Sequence, residues 1–329
     1  MRDSLITYRK GIAMRTILLA VDGTEKGLEA VSILGRLLKD RDDLKIVLLH
    51  CVQQVATLLP GELCLDIEER CQLASQDQDK IGNAVLEVSR GKLTEAGFPE
   101  KNTDLQLKVN SLDPAQDILK HAEEARIRTI ALGRRGKSQV ETLLLGSISG
   151  KVAQYGKGKS IWIVDTPVND SKKALIAVDG APESRELSYY TADLIGPCPG
   201  FSYTFLHLMP PVPPTFWDDG HILGSDEQKD RVNRIEKWKS EWTDKVGTYM
   251  TEARDLLLER GIGQDNIETL ILPTREGVAR DLLNEIDEHK FQMVVMGKKS
   301  FHERKPFLMG SHAAKILQNV KATILCLVD

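Results

Sequence analysis

One apolar run, closed by an acid and a glycine, occurs twice in this chain, and the spacing of the two copies limits what the chain can fold into. Residues 15–22 read Arg-Thr-Ile-Leu-Leu-Ala-Val-Asp and residues 173–179 read Lys-Ala-Leu-Ile-Ala-Val-Asp, followed by Gly23 and Gly180 respectively. A second pair of runs ends in histidine: 46–50 (Ile-Val-Leu-Leu-His) and 203–207 (Tyr-Thr-Phe-Leu-His). Asp22 to Asp179 and His50 to His207 are both 157 residues, whereas Gly133 to Gly297 and Gly146 to Gly310 are both 164. Two constant offsets mark a duplication whose second copy carries an insertion of seven residues. The insertion falls after His207, where Pro210 to Pro214 begin a longer, stiff loop. Repeats of this length are whole domains rather than solenoid units, and 329 residues hold two of them.

Within each copy, apolar strand-like runs alternate with helical patterns. Continuously apolar runs suit parallel strands covered on both faces. The first strands, 15–22 and 173–179, lead into helical patterns over 25–38 and 183–195. A long helix follows the second strand. In the first copy it covers 66–96 and stops at Gly97; in the second, Val232, Ile235, Trp238, Trp242, Val246, Met250, Ala253 and Leu257 share one helical face and Gly261 is the stop. Third strands are expected over 104–109 and 268–272, and helices over 114–126 and 277–289, with Pro114 suited to a first turn. Fifth strands, 160–165 and 323–328, close the copies. This alternation predicts an α/β fold: two doubly wound parallel sheets flanked by helices. The expected division is an N-terminal extension over 1–14, a first domain over 15–166, a linker over 167–172 and a second domain over 173–329.

A glycine loop lies between the fourth strand, Thr129-Ile130-Ala131-Leu132, and a helix starting near Ile148. It reads Gly133-Arg134-Arg135-Gly136, then nine residues, then Gly146-Ser147. Glycines let a backbone approach an oxyanion closely, and the free amides and dipole at a helix N-terminus hold negative charge. Ser147 is the expected N-cap. Ligands on doubly wound sheets bind beyond the C-terminal strand ends, near the switch in strand order. Asp22 ends the first strand and the Gly133 loop follows the fourth, so the topology brings both to one crevice.

Gly-x2-Gly-x9-Gly-Ser after a buried strand resembles the nucleotide-binding signature of the universal stress protein family, and the duplication resembles its tandem form. The resemblance implies two five-stranded parallel sheets of order 3-2-1-4-5, and ATP as the ligand. It implies that Asp22 meets the adenosine end, that Cys51 lines the adenine pocket, and that Gly133, Gly136, Gly146 and Ser147 meet the phosphates; Gly23 and Thr24 beside Asp22, and Arg134 of the basic loop, are further candidate contacts. In the second copy the matching positions are Asp179, Leu208, Gly297, Gly310 and Ser311. There the loop departs from the pattern, because Ser300 replaces the second glycine and Pro306 stiffens the span. Mg²⁺ is expected as the counter-ion of the phosphates, although no carboxylate is clearly placed to hold it. The implied role is a nucleotide-dependent sensor or switch in a stress response, acting on an unidentified protein partner. The resemblance also implies edge-to-edge pairing of the final strands, 160–165 with 323–328, as a pseudo-dimer within one chain, and leaves room for a homodimer. Two other readings stay open: a nucleotide-free interaction module, and a slow ATPase.

Charge and cysteine usage narrow the remaining classes. The formal net charge of −4 gives no general pull toward nucleic acid or an anionic membrane, and no apolar run reaches the roughly 20 residues of a membrane span. Five cysteines form no C-x-x-C pair, which suits buried thiols in a reducing compartment, the cytoplasm, rather than disulfides or zinc. Gly158-Lys159-Ser160 is not a phosphate-binding Gly-Lys-Ser motif, since Ala153 stands where that motif needs glycine and the strand follows instead of preceding. No nucleophile elbow, zinc helix or paired carboxylates mark an enzyme. His50 and His207 read as satisfied core histidines, Cys51 as a pocket wall rather than a nucleophile, and Trp238 and Trp242 as packing.

Overall fold

The computed structural model describes residues 15–53, 67–134, 145–180, 184–217, 220, 224–299 and 309–329. The expectations for residues 1–14, Gly136, Ser300 and Pro306 lie outside the described residues. The chain divides into two compact units, Met1–Thr166 and Pro167–Asp329.

The first unit contains β1 (Arg15–Ala20), α1 (Glu25–Leu38), β2 (Leu44–Gln53), α2 (Ile67–Glu95), β3 (Thr103–Ser111), α3 (Pro114–Glu124), β4 (Thr129–Gly133), α4 (Ser147–Tyr155) and β5 (Ser160–Val164). All its strand pairs are parallel: β2 with β3 and β1, β1 with β4, and β4 with β5. The order is therefore β3-β2-β1-β4-β5. Ile17 lies beside Ile46 of β2 and Thr129 of β4, so the apolar runs stack in register across the sheet. α1 packs with α2 and α3 with α4, a helix pair for each face. Ala30, Val31, Leu34 and Leu38 of α1, and Ala115, Ile118 and Ala122 of α3, are buried; their spacing by three and four residues is what each stripe requires.

The second unit repeats the plan with β6 (Lys173–Ala177), α5 (Ser184–Tyr190), β7 (Ser202–Met209), α6 (Ser225–Glu259), β8 (Ile267–Pro273), α7 (Val278–His289), β9 (Met293–Gly297), α8 (Ser311–Asn319) and β10 (Ile324–Val328). Its order is β8-β7-β6-β9-β10, all parallel.

The long helices end alike. Gly97 (φ +98°) and Gly261 (φ +84°) adopt left-handed backbone that side chains resist. The amides of Phe98 and Ile262 then bond back to the carbonyls of Leu93 and Leu257, and those of Gly97 and Gly261 to Thr94 and Leu258. This is the double bond pattern of a glycine-stopped helix. The helix expected over 183–195 is α-helical only to Tyr190; Thr191–Ile195 widen into a π turn in which Gly196 N–H bonds to Thr191 O. The Thr191 hydroxyl takes the Leu187 carbonyl at 2.7 Å, a side-chain competition that loosens a helix.

Candidate functional site

The glycine loop of the first unit is closed at its base by backbone alone. Arg134, the residue after β4, donates its amide to Val164 O at 2.8 Å, while its carbonyl accepts the Gly146 amide at 2.9 Å. The loop therefore leaves and returns at one point, and α4 starts at the C-terminal edge of the sheet. Gly146, not Ser147, is the N-cap of α4; Ser147 is the first helical residue and is exposed. The shift follows from the backbone: Gly146 already has extended angles (φ −64°, ψ 145°), and its carbonyl accepts the first helical bond, from Gly150. The amides of the first turn then have no intrahelical acceptor and face outward at the positive end of the helix.

Ser149, which sequence reasoning passed over, ties the start of α4 to β4. Its hydroxyl donates to Gly133 O at 2.7 Å. A small hydroxyl two residues past a Gly-Ser pair is the signal that would have found it. The Arg134 side chain is buried, with its Nε 3.7 Å from Asp165 Oδ1 beyond β5. Lys26, Val164, Asp165 and Thr166 line a small recess with it.

At the end of β1, Asp22 shapes the turn into α1. Its Oδ1 accepts the Thr24 amide at 3.0 Å and the Thr24 hydroxyl at 2.7 Å. Thr24 is the N-cap of α1 and accepts from Gly27 N–H at 3.1 Å. Every hydrogen bond to Asp22 among the described residues falls on Oδ1, and none falls on Oδ2. Gly23 takes φ +76°, and a Cβ there would sit 2.8 Å from Val85 of α2.

Residues 50 and 51 point to opposite faces of the sheet, as neighbours on a strand must. His50 is buried and its Nδ1 meets Val21 O at 2.7 Å, a core histidine tying β2 to the end of β1. Cys51, half-buried, feels the charge of Asp117 on α3. Burial first, and that charge second, push its thiol up to about 12, against a smaller opposing pull from Lys108. A thiol so raised stays protonated near neutrality and makes a wall, not a nucleophile. α3 and α4 begin side by side: Lys151 Nζ reaches Asp113, the N-cap of α3, at 2.9 Å. The hydrogen bond and charge of Lys151 hold the Asp113 carboxyl below the usual carboxylate range.

The second unit keeps the clasp and alters its surroundings. Lys298 N–H bonds to Val328 O at 2.8 Å and Gly310 N–H to Lys298 O at 3.0 Å. Gly310 caps α8, Ser311 is exposed in its first turn, and Gly297 ends β9. Lys298 is buried like Arg134; burial holds its ammonium below the ordinary value, partly offset by Asp329. Ala313 stands at the position of Ser149, so the hydroxyl tie has no counterpart. Asp179 is exposed and accepts the Ser184 hydroxyl at 2.9 Å, whereas Leu208 is buried. His207 Nδ1 meets Val178 O at 2.9 Å, and its Nε2 accepts the Trp242 indole N–H at 2.9 Å. Trp242 and Trp238 stack at 6.0 Å between centroids, and Trp238 lies 6.1 Å from Phe216. The two tryptophans thus pack within their own unit.

Among the described residues, no group of three or more His, Cys, Asp or Glu is gathered to hold a metal ion, and no helix is long and apolar enough to cross a membrane.

Known proteins give this geometry a context. The family model described as "Universal stress protein family" matches residues 14–159 and again 171–327. The chain is 28% identical over 140 residues to the universal stress protein YxiE of Bacillus subtilis (strain 168), spanning 42% of this chain and 90% of that protein. The fold is similar to that of a universal stress protein from Archaeoglobus fulgidus DSM 4304, with a TM-score of 0.57 at 17% identity over 96% of this chain and 99% of that one. It is also similar to a putative universal stress protein from Pseudomonas aeruginosa UCBPP-PA14, with a TM-score of 0.60 at 14% identity over 96% and 94% of the two chains.

Proposed function

The chain belongs to the universal stress protein family, and on that footing we propose that its first unit binds ATP and uses the bound nucleotide as a switch. The observation that carries this reading is the clasp between Arg134 and Gly146, which sets the open amides of α4 at the C-terminal edge of β4. β4 neighbours β1, whose following residue Asp22 keeps one carboxylate oxygen for a ribose hydroxyl. The phosphates lie over Gly133, Gly146 and the first turn of α4, with Gly136 completing the loop. Helix amides and dipole supply the stabilisation there. Gly23 and Thr24 hold Asp22 in place rather than reaching the ligand themselves. Mg²⁺, if it accompanies ATP, rides on the phosphate oxygens.

The switching step follows from the loop's construction. In this reading a bound triphosphate acts on the loop that the clasp closes, and so alters a surface that a protein partner reads. Calorimetry with ATP on the wild-type chain and on Gly136→Val is the test. Saturable binding that the valine abolishes supports the reading, and equal affinity in the two proteins discards the loop assignment.

In the second unit the same site is a weaker binder in this reading. Ser300 replaces the second loop glycine, and Ala313 lacks the hydroxyl of Ser149. Asp179, Leu208, Gly297, Gly310 and Ser311 form a nucleotide site of lower affinity, so the chain takes up one equivalent of ATP before a second.

A further inference from the structure

We propose that Asp117 reads the base: its carboxylate accepts a hydrogen bond from the 6-amino group of adenine and so selects adenine over 6-oxo purines. This rests on the nucleotide reading of the first unit and adds a specificity determinant to it.

Strand spacing sets where the base falls. Phosphates held at the end of β4 are two strand spacings, about 10 Å, from the end of β2, with β1 and Asp22 between them. A nucleotide stretched along the strand tips therefore lays its base by Cys51. Asp117 is the carboxylate whose charge Cys51 feels. It is fixed there by Ser111, the tip of β3, whose buried hydroxyl donates to Asp117 Oδ2 at 2.6 Å. Ser111 lies in register beside Gln53, just past the irregularity after Cys51. No other hydrogen bond to this carboxylate forms among the described residues, so Oδ1 is left to accept.

The second unit shows what the same residue does when it has other duties. Asp281 occupies the matching place in α7, and both its oxygens accept backbone amides, from Arg275 at 2.7 Å and Glu276 at 3.0 Å. Those bonds close the start of α7, where Gly277 has no side chain to cap with. In the first unit Asp113 performs the capping, accepting from Ala115 N–H at 3.1 Å. Asp117 is thereby released from capping α3, and Ser111 holds it instead through Oδ2. A carboxylate offers only acceptors. It matches the N–H donors of a 6-amino purine and opposes the oxygen of a 6-oxo one, and unmatched polar groups discriminate strongly.

The test measures binding of ATP, GTP and purine riboside triphosphate, which has the adenine ring without its amino group, to the full chain and to Asp117→Ala and Asp117→Asn. Wild type should prefer ATP to the deaminated analogue by about tenfold or more. Asp117→Ala should lower ATP to the level of the analogue and leave the analogue unchanged, and Asp117→Asn, with one neutral acceptor and the bond to Ser111 retained, should fall between. Equal loss of both ligands in Asp117→Ala, or loss of neither, overturns the proposal, because a merely structural aspartate cannot tell one ligand from the other. No ATP uptake by the wild-type chain would instead remove the nucleotide reading itself.

Discussion

The two units carry the same clasp and differ in what is fastened to it. Arg134 and Lys298 hold the base of each loop through backbone bonds of nearly equal length, and both side chains are buried. Around that constant frame the first unit keeps a serine tie to β4, an aspartate cap on α3 and an Asp117 that, among the described residues, is engaged through one oxygen, by Ser111. The second has Ala313, Gly277 and a fully engaged Asp281 in those places. The difference teaches that closure of the loop is a property of the fold, bonded through main chain and insensitive to side-chain change. Reading of a ligand depends on a few polar side chains that one copy can lose without unfolding.

The frame itself is the strongest test of this comparison. Gly23 and Gly180 both take φ +76°, and a Cβ at either would lie 2.8 Å from a valine of the long helix, Val85 or Val246. Gly23→Val and Gly180→Val should each destabilise their own unit by about 2–4 kcal/mol, adding left-handed strain to overpacking. Urea unfolding can follow the units separately, because Trp162 is the one tryptophan of the first and Trp217, Trp238 and Trp242 belong to the second. Markedly unequal losses would break the claim that the frames are equivalent.

Next in size is a feature found in the second unit. The Trp242 indole donates to Nε2 of His207, which leaves the proton on Nδ1 for Val178 O and keeps the ring neutral. Trp242→Phe removes the donor and strands a buried acceptor, at a cost of about 1–3 kcal/mol. Burial holds the His207 pKa below its ordinary 6.5, against smaller pulls from Val178 and Asp179. The sign follows: the neutral-ring contribution is complete above pH about 6.5 and is lost as pH falls through the lowered folded value. Stability of the second unit should therefore fall with acid over that window, and His207→Gln should flatten the dependence.

The serine tie gives a smaller effect with a reciprocal control. Ser149→Ala should cost the first unit about 1 kcal/mol and weaken ATP several-fold in calorimetry if the loop geometry is what the phosphates read. Ala313→Ser supplies the missing hydroxyl to the second unit and should raise its ATP uptake. No change in either direction would detach the tie from ligand binding.

Much of this was legible in the sequence because the signals are local or periodic. The apolar runs ending at Asp22 and Asp179, the stops at Gly97 and Gly261, and Pro114 at the head of α3 each act through their own backbone or their own helical face. The core roles of His50 and His207 were legible too, since a lone histidine ending a buried run must find a carbonyl. What the sequence hid depends on partners far along the chain. Ser149 bonds across 16 residues to Gly133 and Trp242 across 35 to His207, and no local pattern names such partners. The placement of the Arg134 side chain beside Asp165 is of the same kind. The one-residue shift of the cap from Ser147 to Gly146 is a different matter, the ordinary uncertainty of helix ends, settled by which carbonyl takes the first helical bond.

The smallest effect concerns the start of α3. Asp113→Gly copies the second unit, where Gly277 stands at this position, and a glycine cap should cost only a few tenths of a kcal/mol, against about 1 for Asp113→Ala. The ion pair with Lys151 adds little, because Lys151 is exposed and Asp113 only partly covered, so solvent and salt screen the pair; Lys151→Ala should change stability by less than about 0.5 kcal/mol, and less again in high salt. The pair's contribution is present above the ordinary carboxylate range and fades as Asp113 is protonated through its lowered pKa. The informative outcome is indirect. With Asp113 gone, Asp117 becomes the nearest carboxylate able to cap α3, as Asp281 caps α7. If it turns back to do so, Asp113→Gly should erase discrimination between ATP and purine riboside triphosphate while barely moving the unfolding curve. Retained discrimination would show that Asp117 is held by Ser111 alone, and that its freedom owes nothing to the neighbouring cap.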